Sequence, residues 1–290
     1  ADTYALARAR YLSIAAYLDL LEAFKGERDY TLWGDITGNL RQLYSQFHTA
    51  PFLPQLQTFS RILYDPLARH MGWDERPHEK QTEIFLRQVV LVMMGVSGDD
   101  TTLKEAQRRF AQRQDLNPNL RSAVYSLVAS QGNEATWNDL VSLYRTASLQ
   151  EEKMRALAAL CWFKQPDLTQ QTLDFILSTE VRSQDAFIGL GKSAANPYAR
   201  DATWAFVKER WKELVDRYGS GGHAMARIIE AVASPFNTRE KYKEIEAFFK
   251  KHPVANAQRA IQQALETIRI NIAFRKEQEG KLAAWLGSRR

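Results

Sequence analysis

Cysteine is nearly missing from these 290 residues: Cys161, beside Trp162 in an apolar stretch, is the only one. That excludes an intramolecular disulfide and fits a reducing compartment or a buried thiol. A lone cysteine among apolar neighbours is ordinarily inert core, so Cys161 is not taken as a nucleophile. Long hydrophobic runs are missing too. The stretch "VVLVMMGV" (Val89 to Val96) stops far short of the roughly 18 apolar residues that span a bilayer, so no membrane segment is expected. Neither a charged-then-apolar leader nor an Asn-x-Ser/Thr sequon occurs, and together with the single cysteine this favours a cytoplasmic protein.

Charge of one sign is also scarce. The net charge of +5 is the small difference between 39 basic and 34 acidic residues, and the only tight basic cluster is Lys250-Lys251-His252. A mild positive field suits anionic partners without identifying them. A nucleic-acid-binding solenoid needs a basic stripe along one face, and the mixed-sign helices argue against it. Hydrophobic residues at 45% and charged residues at 25% are ordinary for a soluble globular chain.

What the sequence has is helical rhythm. Apolar residues recur at spacings of three and four, as at Leu18, Leu21, Ala23 and Phe24, or Phe206, Trp211, Leu214 and Val215. Strand-like alternation is almost absent. Glycine and proline fall between the periodic runs, for example in "TAPFLP", "GWDERP", "LNPN", "YGSGG" and "KHP". This punctuation predicts roughly fourteen helices and no sheet. The opening "ADTYALARAR" has no initiator Met and is already in helical register, which suggests a piece of a longer polypeptide.

The middle of the chain repeats itself. "TLKEAQRRF" (102–110), "TWNDLVSLY" (136–144) and "LTQQTLDFIL" (168–177) each follow a turn, with Phe110, Tyr144 and Ile176 spaced 34 and 32 residues apart. Between them lie second helices at 120–130, 151–163 and 183–191. A unit of about 32–34 residues made of two helices is the period of an α-solenoid, so the expected fold is an all-α, HEAT-like α-α superhelix, a curved solenoid of helix pairs. Asn133 is placed to cap one helix, and Ser148 with Glu151 and Glu152 to cap the next. A last helix is expected from about Ala257 to Trp285, with Ile261, Leu265, Ile268, Ile272, Leu282 and Trp285 on one stripe.

The search for chemistry starts at His78-Glu79-Lys80-Gln81-Thr82. Two histidines at i and i+4 bind zinc from one helix face, with the glutamate reaching the bound water. Here the second position is Thr82, a poor zinc ligand, so His78 and Glu79 are expected in a solvated first helical turn. His48, His70, His223 and His252 form no ligand cluster in sequence. "YGSGGHAM" (218–225) has the glycines of a phosphate loop without its strand or its lysine, and reads as a turn between helices. In "WAFVKERWKELVDRY" (204–218) aromatic and basic residues interleave as in a stacking platform, yet Trp204, Trp211, Leu214 and Tyr218 recur at helical spacing, which favours core.

Seven segments in order carry a family resemblance: "YLDLLEAFKGERDYTLWGDITGNLRQL" (17–43), "MGWDERP" (71–77), "LQEEKMRAL" (149–157), "STEVRSQDAF" (178–187), "ARDATWAFVKERWKELVDRYG" (199–219), "FNTREKYKEIEAFFKKHP" (236–253) and "AIQQALETIRINIAF" (260–274). They resemble the C-terminal helical domain of gluzincin zinc aminopeptidases, in particular the puromycin-sensitive type, from about Ala5 to Trp285. The resemblance implies a single non-catalytic C-terminal domain over residues 1–290, with the zinc and all catalytic residues in an upstream catalytic domain outside this chain. No cofactor is expected in the chain itself. Its implied partners are that catalytic domain and peptide substrates, with no nucleic acid and no membrane. In the family such a domain walls a chamber over the active site and helps bind peptides. A trailing peptide offers a carboxylate and backbone groups, so Arg155, Arg182 and Gln184 in the family-like segments are candidate contacts, set against ordinary surface ion pairing. The Trp33, Trp204, Trp211 and Phe249 side chains are assigned to packing. The alternative is a free-standing HEAT-like interaction scaffold without peptidase activity.

Overall fold

A computed structural model describes residues 2–220 and 223–289, which leaves Gly221 and Gly222 of the glycine-rich turn outside the described residues. All regular structure among those residues is helical, with no strand. The chain divides into two compact units, one of residues 1–128 and 274–290, the other of residues 129–273.

In the first unit the helices are α1 (Asp2–Arg8), α2 (Ile14–Glu22), α3 (Tyr30–Gln46), α4 (Leu53–Met71), α5 (Gln81–Val96), α6 (Asp100–Ala111) and α7 (Pro118–Gln131), whose last residues belong to the second unit. Caps set several starts: the Asp29 carboxylate accepts the Leu32 N–H at 2.8 Å, and Asp99 accepts that of Thr102 at 2.8 Å. Trp33, Leu40, Leu63, Tyr64 and Phe47 are buried together, with the Trp33 and Tyr64 rings edge to face at 4.7 Å.

The loop between α4 and α5 corrects the expectation for His78 and Glu79. Helix α5 begins at Gln81, so the two residues precede it, and His78 sits at a positive φ of 63° with its side chain in solvent. Glu79 is not solvated. Its side chain is 2% exposed and bonds Arg87, which is wholly buried, at 2.6 Å. Arg87 also donates to the Met71 carbonyl. That ion pair draws Glu79 inward, and Glu83 takes the capping role, accepting the Lys80 N–H at 3.0 Å.

The second unit continues with α8 (Glu134–Thr146), α9 (Gln150–Leu160), α10 (Pro166–Leu177), α11 (Ser183–Ala195), α12 (Arg200–Glu209), α13 (Trp211–Tyr218), α14 (Ala224–Ala233) and α15 (Arg239–Lys251), and takes the first half of α16 (Gln258–Gly287). The repeat is written into its side-chain bonds. Trp137 donates to Thr172, Arg145 to Glu180, Gln150 to Asp185 and Tyr218 to the Ser183 carbonyl, each across 35 residues. Buried Asn196 bridges the carbonyls of Cys161 and Phe163, 35 and 33 residues back. Asn271 does the same to Ser234 and Phe236, 37 and 35 residues back. Each asparagine thus satisfies main-chain acceptors left over at the end of an earlier helix. The bonded spacing slightly exceeds the 32–34 residues read from apolar positions.

Three local expectations change. Asn133 does cap α8, accepting the Thr136 N–H at 3.2 Å, but Leu149 stands at the N-cap of α9 and Ser148 makes no cap bond. The run 204–218 is two helices, because Arg210 leaves helical ψ (15°) between them. On α16 the buried stripe is Ile261, Ala264, Ile268, Asn271, Phe274, Gln278, Leu282 and Leu286, whereas Leu265, Ile272 and Trp285 are half-buried. Two amides therefore occupy core positions. The aromatics Trp33, Trp204, Trp211 and Phe249 are buried, as expected of packing residues.

Candidate functional site

The candidate residues lie in the second unit, at the starts of the second helices of two successive repeats. Helix α9 opens without a side-chain cap, and two acids in its first turn, Glu151 and Glu152, complement its dipole instead. Arg155 turns back onto both: it bonds Glu152 at 2.9 Å and makes a close pair with Glu151. With its side chain 19% exposed, this guanidinium is committed within its own helix.

Arg182 stands at the N-cap of α11, where its carbonyl accepts the N–H groups of Asp185 and Ala186 at 2.8 and 2.9 Å. Gln184 follows in the first turn. Both side chains are exposed, and neither has a hydrogen-bond or ion-pair partner among the described residues. The structure therefore groups Arg182 with Gln184 and leaves Arg155 tied to its own helix.

Several neighbours complete the patch that sequence reasoning missed. Gln150 at the start of α9 donates to buried Asp185 at 2.7 Å, which fixes the two helix starts together. The Tyr144 hydroxyl donates to the Glu180 carbonyl at 3.3 Å, and the Lys153 ammonium lies 5.4 Å from the Tyr144 ring centre. Burial pushes the Tyr144 hydroxyl above its ordinary value, Asp185 adds to that rise, and Arg182 opposes it. Glu180 is held below the usual carboxylate range by its hydrogen bonds from Arg145, at 2.7 and 2.8 Å. The period was the usable signal: a spacing of 35 takes Gln150 to Asp185 and Arg145 to Glu180.

Chemically, this patch offers a free guanidinium, an ammonium and a primary amide, which suit a carboxylate or peptide carbonyls. Cys161 is buried, its thiol pushed up to about 12 by burial, and it donates to the Leu157 carbonyl. Among the described residues no three His, Cys, Asp or Glu side chains group as metal ligands, and His78 and Thr82 do not share a helix face. No step of metal chemistry is assigned to these residues. No described helix is long and apolar enough to cross a membrane.

An all-α succession of helix pairs with a polar patch at the helix starts defines a class of helical-repeat domain. Residues 1–270 match the ERAP1-like C-terminal domain, and the chain belongs to that family. Aminopeptidase M1 of Arabidopsis thaliana is 34% identical over 281 residues, covering 93% of this chain and 32% of that protein. Glutamyl aminopeptidase of Homo sapiens is 30% identical over 292 residues, covering 98% of this chain and 30% of that protein. Aminopeptidase M1-A of Oryza sativa subsp. japonica is 31% identical over 93% of this chain. The chain thus spans about a third of the length of these relatives.

Proposed function

We propose that this chain is the non-catalytic C-terminal domain of a zinc aminopeptidase, which walls the substrate chamber and helps bind and select peptides. A separate zinc domain then removes amino-terminal residues, and this chain supplies positioning for the distal part of the peptide. The observation that carries the reading is the family match over residues 1–270, joined to relatives named aminopeptidases of which the chain spans only a third. The free Arg182 and Gln184 side chains, backed by Lys153, support the peptide-binding part. Arg155, held between Glu151 and Glu152, serves the patch by fixing the start of α9. A cytoplasmic location remains an expectation of the single cysteine and the missing sequon.

Two measurements test this. The purified chain is expected to leave an aminoacyl reporter intact, and chelator-sensitive hydrolysis by it would sink the assignment. In the complete enzyme, Arg182→Ala with Gln184→Ala is expected to raise KM for long peptides about tenfold, the size of one lost charge-assisted bond. KM for a short aminoacyl reporter should stay put. Equal effects on both substrates would rule out a distal peptide contact.

A further inference from the structure

The segment 274–289 lies past the family match over residues 1–270, yet it is built into the first unit. Helices α1 and α2 have 7 and 9 residues, below the roughly 12–15 that an isolated helix needs in water. The link between them passes through Arg10 at a positive φ of 69°, which a residue with a side chain rarely adopts. These two helices therefore depend on what packs against them.

Part of that support comes from α3, through Tyr4 to Gln42 at 2.9 Å and Asn39 to Tyr17 at 3.0 Å. More comes from α16. Gln278 is fully buried and acts on the strained link itself: its amide oxygen accepts the Ile14 N–H at 2.9 Å, and its amide nitrogen donates to the Leu12 carbonyl at 3.1 Å. Farther along, Trp285 donates to Asp19 at 2.9 Å and stacks edgewise on Phe59 at 5.2 Å. Arg289 lies 4.0 Å over the Trp285 ring, bonds Glu22 at 2.6 Å and makes a close pair with Asp19. A glutamine in a core stripe is costly unless both its groups are used, and here both are spent on one loop.

We infer that residues 274–289 act as a strap that holds α1 and α2 in the folded state, so that lifting the strap frees residues 2–22 while α3 to α5 stay folded. Gln278 locks the link between the two helices, and the Asp19, Glu22, Trp285 and Arg289 cluster locks the far side of α2. Any ligand or modification that competes with Arg289 for the Asp19 and Glu22 carboxylates would then loosen α1 and α2.

Hydrogen exchange read by mass spectrometry on the full chain tests the strap, with α4 (Leu53–Met71) as the internal reference. In Gln278→Leu, which keeps the bulk and removes both bonds, amides in residues 2–22 are expected to exchange at least tenfold faster while α4 is unchanged. The surface variant Trp285→Ala with Arg289→Ala leaves the buried glutamine in place and should speed exchange mainly in α2. Unchanged exchange at 2–22 in both variants would overturn the inference. Equal acceleration in α4 would overturn it too, because the segment would then be general core. Should Gln278→Leu fail to fold, the surface variant decides by the same two criteria.

Discussion

The two units are held together in different ways. In the second, residues 129–273, the polar bonds between elements recur at sequence separations of 33 to 37, as from Asn196 to Phe163 and from Asn271 to Ser234. The first also has bonds at such separations, as from Arg109 to Asp74, but adds others that join residues 264 to 270 apart, as from Gln278 to Ile14 and from Arg289 to Asp19. A ladder of near-neighbour bonds makes stability a sum of similar local terms, so damage stays local. Closure by distant residues ties α1 and α2 to the docking of the last helix, while α3 to α5 share one core and feel damage to it together.

The largest test of this contrast is the buried ion pair of the first unit. Glu79→Ala leaves Arg87 in the interior without its carboxylate, and losing one partner of such a pair costs about 3–5 kcal/mol. Denaturant unfolding followed by exchange should show the loss across α3 to α5 together. The pH dependence has a defined sign. The Arg87 hydrogen bond holds the Glu79 carboxyl below its ordinary value. Its contribution is therefore complete above the unfolded value of about 4.3 and is lost as pH falls through the folded value. Wild type should weaken in that acid window, and Glu79→Ala should lack this component of the loss.

A smaller and more confined effect is expected in the second unit. Asn196→Ala orphans two buried carbonyls, of Cys161 and Phe163, at a cost of about 2 kcal/mol. The faster exchange should centre on the ends of α9 and α11. Spread over all of residues 129–273 would show that the second unit is as cooperative as the first, and the contrast would fail.

These features were unequally legible in the sequence. Helix positions follow from apolar spacing and punctuation, and most of α6 to α11 fall where "TLKEAQRRF" and its counterparts place them. Tertiary use of polar residues does not follow, because a period of apolar residues says nothing about which amide is buried. Asn271 and Gln278 sit on the inner stripe of α16, where Leu265 and Ile272 were expected. Glu79 looked like a first-turn acid because its partner Arg87 lies eight residues on, past the helix start. For the candidate site, the sequence offered residue types without their surroundings. Exposure separates Arg182 and Gln184 from Arg155, and that depends on Glu151 and Glu152 folding into one turn beside it.

The smallest effects concern helix starts, which are local in any architecture and so separate capping from closure. Asn133→Ala removes the side chain that accepts the Thr136 N–H, a loss of about 1 kcal/mol confined to the first turn of α8. Asp99→Ala removes the equivalent bond at α6 in the first unit and should cost about the same. Ser148→Ala should change nothing measurable, because Leu149 holds the N-cap of α9 and the dipole is met by Glu151 and Glu152. Thermal unfolding of the three variants gives the comparison directly. A clear loss in Ser148→Ala would move the start of α9 back by one residue. It would also mean that the Gln150 contact to Asp185, which sets the candidate peptide patch, is supported from the turn before it rather than by the helix alone.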